Sequence, residues 1–175
     1  NAAGRDSTLY YACGVHPWRS DTVSVKELLP WFGKASAVGE IGMDRVWCQV
    51  ELSVQRTVFQ QQLQWAGTLK KPVILHTKGC EKEVLEEISG FSHPILVHWY
   101  SCESYLEDYL DLGCFFTVGP DLFQNPAVRT VAEKVPLEKL MVESDGIEGL
   151  SWALGRAVRR SEIPGILKSV IDEIA

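Results

Sequence analysis

The chain has 175 residues, 46% of them hydrophobic and 23% charged, and a formal net charge of −6. This is the size of one ordinary domain with the composition of a globular protein, not of a disordered or fibrous one. The acidic balance excludes a surface that binds nucleic acid through a broad basic field, so any phosphate chemistry must be local.

Taken in chain order, short apolar runs alternate with amphipathic ones. Strands are expected over residues 9–16, 35–42, 72–77, 94–100, 114–119 and 140–145, all of the near-continuously hydrophobic kind that parallel sheets bury on both faces. Between them, the spacing predicts a helix over 51–69, where Leu52, Phe59, Leu63 and Ala66 recur among glutamines. Weaker helical patterns cover 25–32, 81–88, 103–112, 126–133 and 163–174. Strand, helix, strand, helix implies an α/β fold with a parallel sheet and no domain linker. No apolar run approaches the ~20 residues of a bilayer span and nothing reads as a signal segment. Five cysteines form no CxxC pair, which suits reduced, buried thiols. A cytoplasmic address without a membrane partner is the expectation.

The strands share a feature at their carboxyl ends. His16, Glu40 with Asp44 just beyond, His76 with Lys78, His98 with Ser101, and Asp145 after Glu143 all follow apolar runs. In parallel α/β folds ligands and catalytic groups gather at that edge. One histidine after a strand is ordinarily a hydrogen-bonded edge residue. Here three of the chain's four histidines occupy equivalent positions in separate units. Imidazole with carboxylate is the usual donor set for divalent ions such as Zn or Mn, so a metal site is expected there. His93, before Pro94, is expected in a loop or capping role. Trp65, with Val58 and Leu69, reads as core, and Lys70–Lys71 as a solvated charge pair. Trp99 and Tyr100 beside His98 read as structural first and as possible pocket walls second. No GxGxxG, P-loop or GxSxG motif is present, and a Cys102 nucleophile has no visible base.

The stretches YYACGVHPW, AVGEIGMD, QRTVFQQQLQWA, PVILHTK, VHWYS and LEKLMVESD follow one another in the order and spacing of the TatD-type metal-dependent hydrolases, which the chain resembles over nearly its whole length. The resemblance implies a TIM-like (β/α)8 barrel of the amidohydrolase kind, two divalent ions (Mg, Mn or Zn), and hydrolysis of phosphodiesters in DNA or another phosphate ester, typically as a deoxyribonuclease. By position, Glu40 resembles the bridging carboxylate, with His76 and His98 completing one metal site. Asp145 resembles the carboxylate that touches the other metal and helps deprotonate the attacking water. His16 and Lys78 resemble the substrate-side groups that meet phosphate. No obligate protein partner is implied.

Three departures stand beside these matches. The family's HxH motif is absent, the last motif reads ESDG without the usual proline, and Lys78 stands where arginine is commoner, so phosphate would be held less rigidly. A TIM barrel needs eight strands where six are legible. The chain is therefore expected to be a single domain lacking its first one or two β/α units, with a gap about two strands wide between the first and last strands. Alternatives are a hydrolase of the same fold acting on a lactone, amide or small phosphate ester, and a non-catalytic scaffold.

Overall fold

The computed structural model describes residues 10–175, so Leu9 of the first expected strand lies outside the described residues. Each apolar run forms a strand and each expected helix forms. The order is β1 (Ala12–Cys13), α1 (Val25–Phe32), β2 (Ala37–Gly42), α2 (Leu52–Thr68), β3 (Val73–His76), α3 (Glu81–Ile88), β4 (Ile95–Val97), α4 (Leu106–Asp111), β5 (Phe115–Val118), α5 (Pro126–Lys134), β6 (Leu140–Val142), α6 (Gly146–Leu154) and α7 (Ile163–Ile174). All neighbouring strands pair in parallel, in the sequential order β1-β2-β3-β4-β5-β6. Sequential parallel strands joined by helices form the arc of a TIM-like barrel. Among the described residues β1 and β6 are the two edges and do not pair with each other.

The core is built where the sequence alternates least. Val38, Ile41, Val73, Leu75, Val97, Phe116 and Val118 of the inner strands are fully buried. Burial on both faces holds only there: β6 leaves Met141 exposed, because an edge strand lacks a neighbour to cover it. Strands β2 and β3 lie close at Gly42, with φ +143°, where a Cβ would stand 2.0 Å from the carbonyl oxygen of His76. Only glycine fits there, and its neighbour across the sheet is a candidate site residue.

Several expectations change. Trp65 is 38% exposed on the outer face of α2, while Gln55 and Gln62 of that helix are buried. Their amides replace apolar contacts with bonds to backbone: Gln62 accepts from Val15 N–H at 2.6 Å and donates to Val15 O at 3.0 Å. Gln55 accepts from Asp44 N–H at 2.8 Å and donates to the carbonyls of Asp44 and Val50. Lys71 is not simply solvated, since its ammonium donates to the carbonyls of Gly33 and Ala35 just beyond α1. Helix α6 was not legible, because glycines 146 and 149 lower its propensity; Leu150 and Ala153 bury its inner face instead. Helix α4 starts late because Tyr105 takes a left-handed φ of 65°. All five cysteines are free, but only Cys80 and Cys114 are buried.

Candidate metal centre

The carboxyl ends of the strands converge on a cavity of about 700 Å³. Glu40 sits inside β2, His76 ends β3, His98 follows β4, and His16 and Asp145 lie on the turns after β1 and β6. All five line this cavity, together with Lys78.

The geometry centres on one oxygen. Oε2 of Glu40 lies 3.8 Å from Nε2 of His16, from Nδ1 of His76 and from Nε2 of His98. These separations are too long for hydrogen bonds, which close at ~2.7–3.2 Å. For His76 and His98 they suit donors around a shared ion, because two ligands each ~2.1 Å from one metal are at most ~4.2 Å apart. Asp145 Oδ1 is 3.9 Å from His98 Nε2. Among the described residues, donor atoms within 4.8 Å of one another form two groups, His16–Glu40–His76 and Glu40–His98–Asp145, that share Glu40. Imidazole and carboxylate donors thus fit a divalent ion, and Glu40 belongs to both groups. The grouping pairs His98 with Asp145 and His76 with His16, whereas the resemblance put His76 and His98 on one ion.

Each of two rings is held from behind by an acid that the sequence reading left without a role. Nε2 of His76 lies 2.9 Å from Asp44 Oδ2, and Nδ1 of His98 lies 2.5 Å from Glu143 Oε2. A carboxylate on the far nitrogen fixes the tautomer and turns the other nitrogen's lone pair toward a metal. Asp44 is fully buried and also accepts from Trp18 Nε1 and from the N–H groups of Val46 and Trp47. Burial opposes its ionisation, but the bonds from His76, Trp47 and Trp18 outweigh it and hold the carboxyl far below its usual range. Glu143 accepts from Trp99 N–H at 2.9 Å and from the Thr117 hydroxyl. For His76 and His98 burial favours the neutral ring, yet their carboxylate partners prevail and raise both pKa values. The sequence signal for both acids was position alone, four residues after Glu40 and two before Asp145.

His16 differs. Its Nδ1 accepts the Trp18 N–H at 3.3 Å, which leaves the proton of the neutral ring on Nε2, the atom facing the cavity. Burial and the neighbouring His76 lower its pKa to about 4. It is a neutral donor pointed at the site. Asp145 takes a left-handed φ of 49° at the start of α6 without capping the helix, so its carboxylate stays free. Burial raises its pKa. A Cβ on Gly149, one turn on, would stand 2.7 Å from Asp145 Cβ. Lys78 reaches the cavity, but its ammonium already donates to Trp99 O at 2.9 Å and Ser101 Oγ at 2.6 Å, leaving one N–H. Burial lowers its pKa. Trp99 and Tyr100 are both buried in the core, and Trp99 also lines the cavity, so one of the pair walls the pocket. His93 stands in the turn before β4, as expected.

Comparison with known proteins points to one family. A family model described as TatD related DNase matches residues 1–151. The chain is 28% identical to the human 3'-5' RNA nuclease TATDN2, over 81% of this chain and 20% of that protein. It is 27% identical to a metal-dependent hydrolase TatD of Mycobacterium tuberculosis, over 82% of this chain and 60% of the relative, and 30% identical to the metal-dependent hydrolase YjjV of Escherichia coli K12, over 95% and 72%. The crystal structure of that E. coli TatD homologue superposes with a TM-score of 0.81 at 25% identity, covering 99% of this chain and 71% of the other. The chain thus spans a fifth to about three fifths of the length of the first two relatives. With the parallel arc, the shared Glu40 and the matching motifs in place, the chain belongs to the TatD-related family of metal-dependent hydrolases.

Proposed function

We propose that this site hydrolyses phosphodiester bonds at the ends of nucleic acid, as a deoxyribonuclease-like exonuclease. The observation that carries the reading is the convergence of three imidazole nitrogens on one oxygen of Glu40, with carboxylates behind two of the rings. Glu40, His76 Nδ1, His98 Nε2 and Asp145 would hold two divalent ions. Such ions lower the pKa of bound water and offset charge on the phosphoryl oxygens.

The protein's own groups divide the remaining work. Asp145, uncapped and half-exposed, is placed to take the proton of the attacking water. His16 donates from Nε2 to a phosphoryl oxygen, and the free N–H of Lys78 meets the same group as a point charge. Asp44 and Glu143 keep the two rings aimed. Closing an eight-stranded barrel needs two further strands between the β6 and β1 edges, beside Asp145 and His16, and ligands from that stretch would complete the second ion's shell. Five free cysteines suit a reducing compartment such as the cytoplasm. Among the described residues no helix is long and apolar enough to cross a membrane.

The test is cleavage of an end-labelled oligonucleotide with Mn, Mg or Zn, against a chelator control. Stepwise shortening from one end, abolished in Glu40→Ala, is expected. Absence of cleavage with every metal, or equal cleavage by Glu40→Ala, would remove the nuclease reading.

A further inference from the structure

Four of the chain's six tryptophans line this one cavity. Three form a continuous cluster. The Trp47 and Trp152 rings meet edge to face with centroids 5.8 Å apart, and Trp152 meets Trp99 in the same way at 6.1 Å. Trp99 is 4% exposed, and its backbone N–H donates to Glu143, the acid behind His98. Trp152 and Trp47 are the opposite case, 60% and 45% exposed. Tryptophan is highly buried on average, so two half-bare indoles on a rigid neighbour, inside a cavity, are costly unless something covers them.

Placement says what would cover them. Trp99 directly follows His98, and Trp152 lies seven residues, two helical turns, after Asp145. The Lys78 ammonium stands 5.8 Å from the Trp47 ring centroid, which puts a cation where phosphate and aromatic ring would meet. A cavity of about 700 Å³ is in the ~300–1,000 Å³ range of small-ligand sites. A ligand that fills it has an anionic group at the metal donors and a flat apolar ring against the indoles. A nucleotide has both.

We propose that Trp47 and Trp152, backed by Trp99, form a stacking wall for the base of the nucleotide whose phosphate sits at Glu40, so that the site selects a base-bearing end over an abasic one. The inference rests on the nuclease reading for the identity of the phosphate, but base recognition is separable from cleavage. Base–indole stacking tolerates any base, because each has a π-face.

The experiment is quenching of tryptophan emission by phosphorothioate oligothymidylate and by an abasic phosphorothioate chain of equal length, in chelator and again in Mn. The wild-type protein should bind the base-bearing strand ~10-fold or more tightly than the abasic one. Trp152→Ala should erase that ratio, Trp152→Phe should retain most of it, and Trp47→Ala should reduce it. Equal binding of the two strands, no binding of either, or a Trp152→Ala variant that weakens both strands equally would overturn the wall. A protein that prefers the base-bearing strand yet cleaves nothing would keep this inference and discard the nuclease reading.

Discussion

Nδ1 of His98 lies 2.5 Å from Oε2 of Glu143, on the side of the ring away from Glu40 and Asp145. The contact makes Glu143 a positioning residue for a ligand it does not join. Glu143→Gln keeps the shape but replaces a charged acceptor shared by His98, Trp99 N–H and Thr117. Metal affinity should fall ~10–100-fold, with the far-UV spectrum unchanged. Titration with Zn or Mn by calorimetry measures this; an unaltered affinity would show the ring is aimed by packing alone.

Glycines 149 and 165 separate sterics from propensity. Both lie inside helices, where alanine is favoured by roughly 1 kcal/mol. A Cβ at Gly165 meets nothing within 4 Å, so Gly165→Ala should gain ~0.5–1 kcal/mol in denaturant melts. At Gly149 the same atom would press on Asp145 at 2.7 Å. Gly149→Ala should forgo the gain and lose metal affinity and hydrolysis together, and an active, stabilised variant would contradict this account.

Alkaline conditions should weaken the fold through two thiols. Burial raises the pKa of Cys80 to about 11 and of Cys114 to about 12, from 9.0. The folded state therefore keeps protons that the unfolded state releases. Their contribution is complete below pH 9 and is lost as pH rises through the folded values, about 1 kcal/mol per thiol by pH 10. Chemical melts at pH 8 and pH 10, with Cys114→Ala flattening the difference, check the sign.

Gln62 tests what lies under the site. Gln62→Leu would leave Val15 N–H and C=O buried without partners, at a cost of about 2–4 kcal/mol, although it makes α2 look more conventionally amphipathic. An equal or higher melting midpoint would refute it.

That inversion shows where sequence reading stops. All six strands were legible, and so were His16, Glu40, His76, Lys78, His98 and Asp145 among the cavity-lining residues, because an apolar run ending in His or an acid carries both burial and chemistry in one short segment. Gln55, Gln62 and Trp65 were misread because helical periodicity sorts residues by polarity, and a glutamine bonded to backbone is buried like an apolar residue. Asp44 and Glu143 have no signature of their own. Their role depends on which ring nitrogen they meet across 32 and 45 positions of chain, a fact of folding geometry. Helix α6, which carries Trp152, was hidden by its glycines.

The paired glutamines of α2 have a consequence for motion. Gln55 and Gln62 stand two turns apart and grip Asp44 and Val15, the residues beside Met43 and His16 on the turns after β2 and β1. Loops at a barrel's rim ordinarily open cheaply and exchange their amide protons fast. Here the amides of Val15 and Asp44 reach solvent when the inner face of the 17-residue helix α2 lifts away, so this side of the rim takes on the opening free energy of α2. In the turn after β6, Glu143 is held by His98, Trp99 and Thr117, but Asp145 two residues on makes no capping bond and is half-bare. One wall of the site is stiff and the other compliant, and substrate entry and product release would be read in the dynamics of the Asp145 side.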